Sequence, residues 1–78
     1  MARLFIGAGR NVSLRPGDLV GAIANEVGVD SSAVGAIQIS ERHTIVEVPD
    51  EIADEIVSRL RAATIRGKRV LVRRDRAG

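Results

Sequence analysis

Seventy-eight residues, 45% hydrophobic and 28% charged, make one small globular domain and exclude a disordered chain. No apolar run approaches the ~20 residues needed to cross a bilayer, and the absence of cysteine excludes disulfides and thiolate metal sites. The net charge is only +2, but the cations are eleven arginines and one lysine, and a planar guanidinium suits phosphates and base planes better than a hydrated ammonium does.

A domain this small hides only about 60% of its unfolded surface, so its apolar residues must be placed regularly. Residues 3–8 (RLFIGA) read as a first strand, with Leu4 and Ile6 on one face and Phe5 on the other. Residues 9–13 (GRNVS) break it. Pro16 suits the first turn of a helix. Leu19, Ile23 and Val27, with Val20 and Ala24 beside them, form one stripe that ends at Gly28. Asp30 to Ser32 is turn chemistry. Residues 36–40 (AIQIS) alternate as a second strand, Glu41 and Arg42 connect tightly, and 43–48 (HTIVEV) form a third strand rich in β-branched residues. Pro49 closes it. Ile52, Ile56 and Leu60 predict a helix over 50–62, acidic at its start and basic at its end (Arg59, Arg61), as the helix dipole favours. Gly67 and Lys68 turn the chain. Residues 69–74 (RVLVRR) form the last strand, and 74–78 are expected to fray.

The order β-α-β-β-α-β is the split βαβ, ferredoxin-like pattern of an α+β domain. It predicts a four-stranded antiparallel sheet with both helices on one face and the other face open. Alternation sends Leu4, Ile6, Ile37, Ile39, Val46, Val48, Val70 and Val72 toward the helices. It leaves Phe5, Gln38, His43, Ile45, Glu47, Arg69, Leu71 and Arg73 on the open face. Exposed Phe5, Ile45 and Leu71 would mark an interaction surface. Charge is also uneven: residues 59–76 hold eight cations and one acid, Asp75, while 47–55 hold five carboxylates and no cation. Such asymmetry is expected of a polyanion binder.

The stretches RLFIGAGR (3–10), LRPGDLVGAIANEVGV (14–29), VGAIQI (34–39), HTIVEVP (43–49) and IRGKRVLVRR (65–74) cover nearly the whole chain. In this order they resemble the RNA recognition motif fold, and more closely the DbpA-like C-terminal RNA-binding domain of bacterial DEAD-box RNA helicases. RPGDLVGAI followed by a late IRGK carries most of that specificity. The resemblance implies an accessory module that tethers a helicase core, present in cis in an ATP-dependent RNA helicase, to structured and notably ribosomal RNA with single-stranded flanks. Phe5 keeps the first-strand aromatic of the general motif. The two stacking aromatics of the third-strand motif fall on His43, which can stack on a base, and Ile45, which offers apolar contact only. With one phenyl ring, more of the affinity must come from arginine. Some relatives carry a lysine-rich loop before the first helix; here that loop has only Arg10 and Arg15.

The candidate RNA-binding residues are therefore Phe5, Arg10, Arg15, Arg42, His43, Ile45, Lys68, Arg69, Leu71, Arg73 and Arg74. Each has a plainer reading. His43 is also what an ordinary exposed strand histidine looks like, and Phe5 what a half-buried core residue looks like. The cations of 66–76 are also what a solvated edge strand uses against aggregation. GAGRNV (7–12) begins like a dinucleotide fingerprint, but Val12 stands at the final glycine position. The carboxylates of 50–55 read as helix N-terminal charge. A lone histidine without cysteine makes no metal site, and no nucleophile–base pair or P-loop is present. The expectation is a non-catalytic, cytoplasmic, monomeric domain with no cofactor, no metal and no membrane contact. The competing reading is a protein-interaction or dimerisation module of the same fold, using the open face or an edge strand.

Overall fold

The computed structural model describes residues 1–75. Strand β1 runs Ala2–Ile6, helix α1 Pro16–Val27, β2 Ile37–Ile39, β3 Thr44–Val48, helix α2 Asp50–Ala62 and β4 Val72–Arg74. Short 3-10 turns lie at Arg10–Val12 and Ser31–Ala33. The strands form one antiparallel sheet in the order β2-β3-β1-β4, the topology expected of the βαββαβ pattern.

Alternation decides which side chains build the core. Leu4 and Ile6 of β1, Val46 and Val48 of β3 and Val72 of β4 are wholly buried. Leu19 and Ile23 of α1 and Ala53, Ile56 and Leu60 of α2 are buried with them in one cluster. Each large apolar side chain so buried contributes about 1.5–3 kcal/mol, and no disulfide shares the task. Ile37 and Ile39 are only half-buried because β2 is an edge strand.

Helix α1 starts as its sequence directs. Pro16 fills the first helical position, where its missing N–H costs nothing. The Asp18 carboxylate accepts from the Arg15 backbone N–H at 2.9 Å. The Arg15 side chain has no acceptor atom and stays exposed. Gly28 ends the helix in the left-handed region at φ 77°.

The last strand departs from expectation. It begins at Val72, not Arg69, because residues 65–68 fold into a hairpin of their own. Ile65 and Lys68 exchange backbone bonds of 2.8 and 3.1 Å, with Arg66 at φ 55° and Gly67 at φ 77°. Positive φ at both central positions is what a primed two-residue turn requires. The chain rejoins β1 through Gly7 N–H to the Leu71 carbonyl at 2.8 Å. Ile65 goes into the core, as does Leu14, outside any helical or strand periodicity. Arg66 Nε lies 4.0 Å from the Asp18 carboxylate, so the RPGD and IRGK stretches meet in space. The chain stays bonded past Arg74, with Asp75 N–H donating to the Arg3 carbonyl at 2.7 Å. Fraying is thus not seen at 74–75, and residues 76–78 lie outside the described residues. No helix among the described residues is long and apolar enough to cross a membrane.

Candidate nucleic-acid interface

The sheet face away from the helices carries one row across all four strands. In register it reads Gln38 of β2, Ile45 of β3, Phe5 of β1 and Arg73 of β4. His43, one residue before β3, lies diagonally from Phe5. Its ring is stacked on the phenyl ring, with centroids 5.4 Å apart and planes 7° apart. The Arg73 guanidinium carbon sits over the same ring, 4.3 Å from its centroid. Arg73 Nη1 also donates to the Arg74 carbonyl at 3.3 Å. Beyond the row Leu71 stands 58% exposed beside Gly7, where a Cβ would press on the Leu71 Cβ at 3.1 Å.

A rim is fastened to this face. A Cβ at Gly9 would collide with the Ser40 carbonyl, and Glu41 O and His43 N lie 2.9 Å from that position. Only glycine lets the 9–14 loop approach the β2–β3 connection so closely. Arg10 N–H donates to Ser40 O at 2.9 Å and Asn11 N–H to Glu41 O at 2.8 Å. The Asn11 side chain accepts from Gly9 N–H at 3.2 Å. Below them the buried Thr44 hydroxyl donates to the Ala8 carbonyl at 2.8 Å. These bonds hold the backbone of the loop bearing Arg10 against the turn bearing Arg42, next to His43.

Of the eleven candidate residues the structure therefore gathers Phe5, His43, Ile45, Leu71 and Arg73 on the face, with Arg10 and Arg42 at its rim. It does not gather the rest. Arg15 occupies the N-cap position of α1 with its side chain exposed, Lys68 closes the 65–68 hairpin, and Arg69 follows it toward β4, both exposed. Arg74 shares the parity of Val72 and points to the helix side, where it bonds Asp54 at 2.8 Å and Asp50 at 3.0 Å. The hydrogen bond to Asp54 and the charge of both carboxylates push the Arg74 guanidinium further above its ordinary range. Arg59 is 3.6 Å from Glu55. By contrast Arg10, Arg42, Arg69 and Arg73 have no carboxylate partner among the described residues.

Two hollows flank these groups. One of about 230 Å³ lies on the open face, lined by Arg3, Ala36, Gln38, Ile45 and Glu47. Arg3, Gln38 and Glu47 were not among the candidates, although Arg3 shares the parity of Phe5, Glu47 that of Ile45, and Gln38 pairs with Ile45 across β2 and β3, which is the signal that finds them. The other, about 470 Å³, lies between α2 and β4 among Asp54, Val57, Ser58, Arg61 and Arg74. It is a poorer anion site despite its size. Arg74 is already paired, and Arg61 Nε donates to the Val72 carbonyl at 2.9 Å. Among the described residues no three His, Asp or Glu side chains gather as metal ligands.

Comparison with known proteins identifies the family and the fold. The DbpA RNA binding domain family model matches residues 3–74. The ATP-dependent RNA helicase DbpA of Escherichia coli is 34% identical over 73 residues, which cover 94% of this chain and 16% of that protein. The ATP-dependent RNA helicase DeaD of Buchnera aphidicola is 34% identical over 68 residues, covering 87% of this chain and 11% of that protein. The chain thus spans less than a fifth of the length of these curated relatives. The crystal structure of RNA binding protein PG1 superposes with a TM-score of 0.75 at 17% identity, over 100% of this chain and 98% of that one, which shows the shared fold. With its sheet, its RPGD and IRGK contact and its match from strand to strand, the chain belongs to the DbpA RNA-binding domain family, a non-catalytic module of RNA helicases.

Proposed function

We propose that this domain tethers an ATP-dependent RNA helicase core, carried in the same polypeptide, to structured RNA, ribosomal RNA included. The sheet face takes an unpaired flank, and the rim arginines together with Arg69 take neighbouring phosphates. The observation that carries this reading is the partition of the cations. Arg73 lies on an aromatic ring and forms no ion pair among the described residues, whereas Arg74 is committed to Asp50 and Asp54. On this reading the module acts in the cytoplasm as a monomer. Fluorescence anisotropy with a ribosomal hairpin bearing a single-stranded flank, repeated over a salt series, tests it. Arg69→Ala and Arg73→Ala should each weaken binding and flatten the log–log salt slope by about 0.7–0.9. An unchanged slope in both variants would remove these residues from the interface.

The exposed Leu71 beside Phe5 and Ile45 favours a second reading, in which two copies pair through the open face. Sedimentation separates the two: a tight dimer that excludes RNA supports the second, and a monomer that binds RNA supports the first.

A further inference from the structure

The first-strand aromatic of an RNA recognition motif is ordinarily read as the surface on which a base stacks. Here that ring already has two neighbours. Strand order places β3 and β4 on opposite sides of β1. The His43 ring, next to β3, is stacked on Phe5 with its centroid 5.4 Å away, and the guanidinium of Arg73 in β4 lies over the same ring. A base approaching the phenyl ring meets both groups.

We propose that Phe5 is the middle plane of a three-layer stack, and that the plane offered to an unpaired nucleobase is the guanidinium of Arg73. The inference rests on the RNA-binding reading given above. Three features carry it. First, Arg73 is exposed while Phe5 and His43 are half-buried, so the guanidinium is the most solvent-accessible of the three groups. Second, the group is already held in place: its central carbon lies 4.3 Å from the centroid of the ring directly opposite in register, and Nη1 donates to the Arg74 carbonyl at 3.3 Å. Third, no carboxylate competes for it among the described residues. A guanidinium can stack through its free face and still bond a phosphate through its remaining N–H edge, which an ammonium cannot do. Phe5 then acts as a positioning residue, holding Arg73 flat.

Arg73→Lys separates plane from charge. The chain is titrated with a hairpin carrying an unpaired flank, and with the same hairpin whose flank has abasic riboses. Removing the bases should weaken wild-type binding roughly ten-fold, the scale of one stacked base. Arg73→Lys should bind the intact flank as weakly as the wild type binds the abasic one, lose nothing more on the abasic RNA, and keep the wild-type salt slope. Phe5→Leu, which keeps apolar contact with the sheet, should abolish the upfield ring-current shift of the Arg73 side-chain protons and reduce discrimination against the abasic flank. Arg73→Lys that binds like wild type, or that still distinguishes the two RNAs ten-fold, would overturn the proposal. So would a wild type that binds both RNAs equally, although tethering through phosphates would then survive. A wild type that binds neither RNA would overturn the RNA-binding reading itself, and this proposal with it.

Discussion

Arg73 and Arg74 are consecutive and equally charged, and the sheet lies between them. Arg73 rests on Phe5 on the open face and forms no ion pair among the described residues. Arg74, on the helix side, is clamped by Asp50 and Asp54 from the first turns of α2. The same division extends through the molecule: Arg59 meets Glu55 and Arg66 meets Asp18, while Arg10, Arg42 and Arg69 stay without carboxylates among the described residues. Exposed ion pairs of this kind contribute only about 0–1 kcal/mol to stability. Their larger consequence is to allocate charge. The acidic start of α2 pairs Arg74 on its own side, while Arg73 on the open face stays outside those pairs.

Substitutions at adjacent positions on opposite faces should sharpen that contrast. The largest effect on the fold is expected from Leu4→Ala. It opens a cavity in the core and should lower unfolding free energy in urea by about 2–5 kcal/mol. Phe5→Ala, one residue along, should cost much less stability and act on RNA affinity instead. If both variants behaved alike, the separation of core face from binding face would be broken.

Next in size is Gly9→Ala, which forces a methyl group into the Ser40 carbonyl and should cost about 1–3 kcal/mol by thermal or chemical unfolding. Its amide spectrum should change at Arg10, Asn11 and the 40–43 turn together, because these form one rim. Thr44→Val, which removes the buried bond to Ala8 at the base of that rim, should cost about 1–2 kcal/mol.

Arg74→Ala should slightly lower the melting temperature and leave the RNA salt slope at its wild-type value. A slope flattened as much as in Arg73→Ala would place RNA on both sides of the sheet. The smallest effect concerns Asp30, whose carboxylate accepts from Ser32 N–H at 3.0 Å. That bond holds its carboxyl below the ordinary 3.8. A lowered pKa in the folded state means that this contribution is complete above the ordinary carboxylate range and is lost only as pH falls through the lowered value. An acid titration followed by NMR should show Asp30 protonating later than free aspartate.

Most of the fold is legible because its signals are local. Ile52, Ile56 and Leu60 at four-residue spacing define α2, and the expected bounds, 50–62, are those observed. Period-two alternation separates Leu4 from Phe5 and Val72 from Arg73, and with them the core face from the open one. The same parity puts Arg74 beside Val72, so its place on the helix side is readable too. What cannot be read are contacts between segments distant in sequence. Gly9 looks like any loop glycine until the Ser40–His43 turn packs on it. Leu14 and Ile65 carry no periodic signal, yet both fill the core. The shorter β4 comes from positive φ at Arg66, which arginine seldom adopts and which its sequence does not announce. Phe5, His43 and Arg73 are individually visible as open-face residues. That they form one stack depends on register across three strands.

The central claim is that RNA meets the sheet face and not the helix face. The most direct measurement is an NMR titration of the labelled domain with a ribosomal hairpin carrying an unpaired flank, at low and moderate salt. Shifts concentrated on Phe5, His43, Ile45 and Arg73, spreading to Arg10 and Arg42 and sparing Arg74 and Asp54, are the predicted result. Shifts centred on Asp54, Arg61 and Arg74 with the Phe5 ring undisturbed would contradict it.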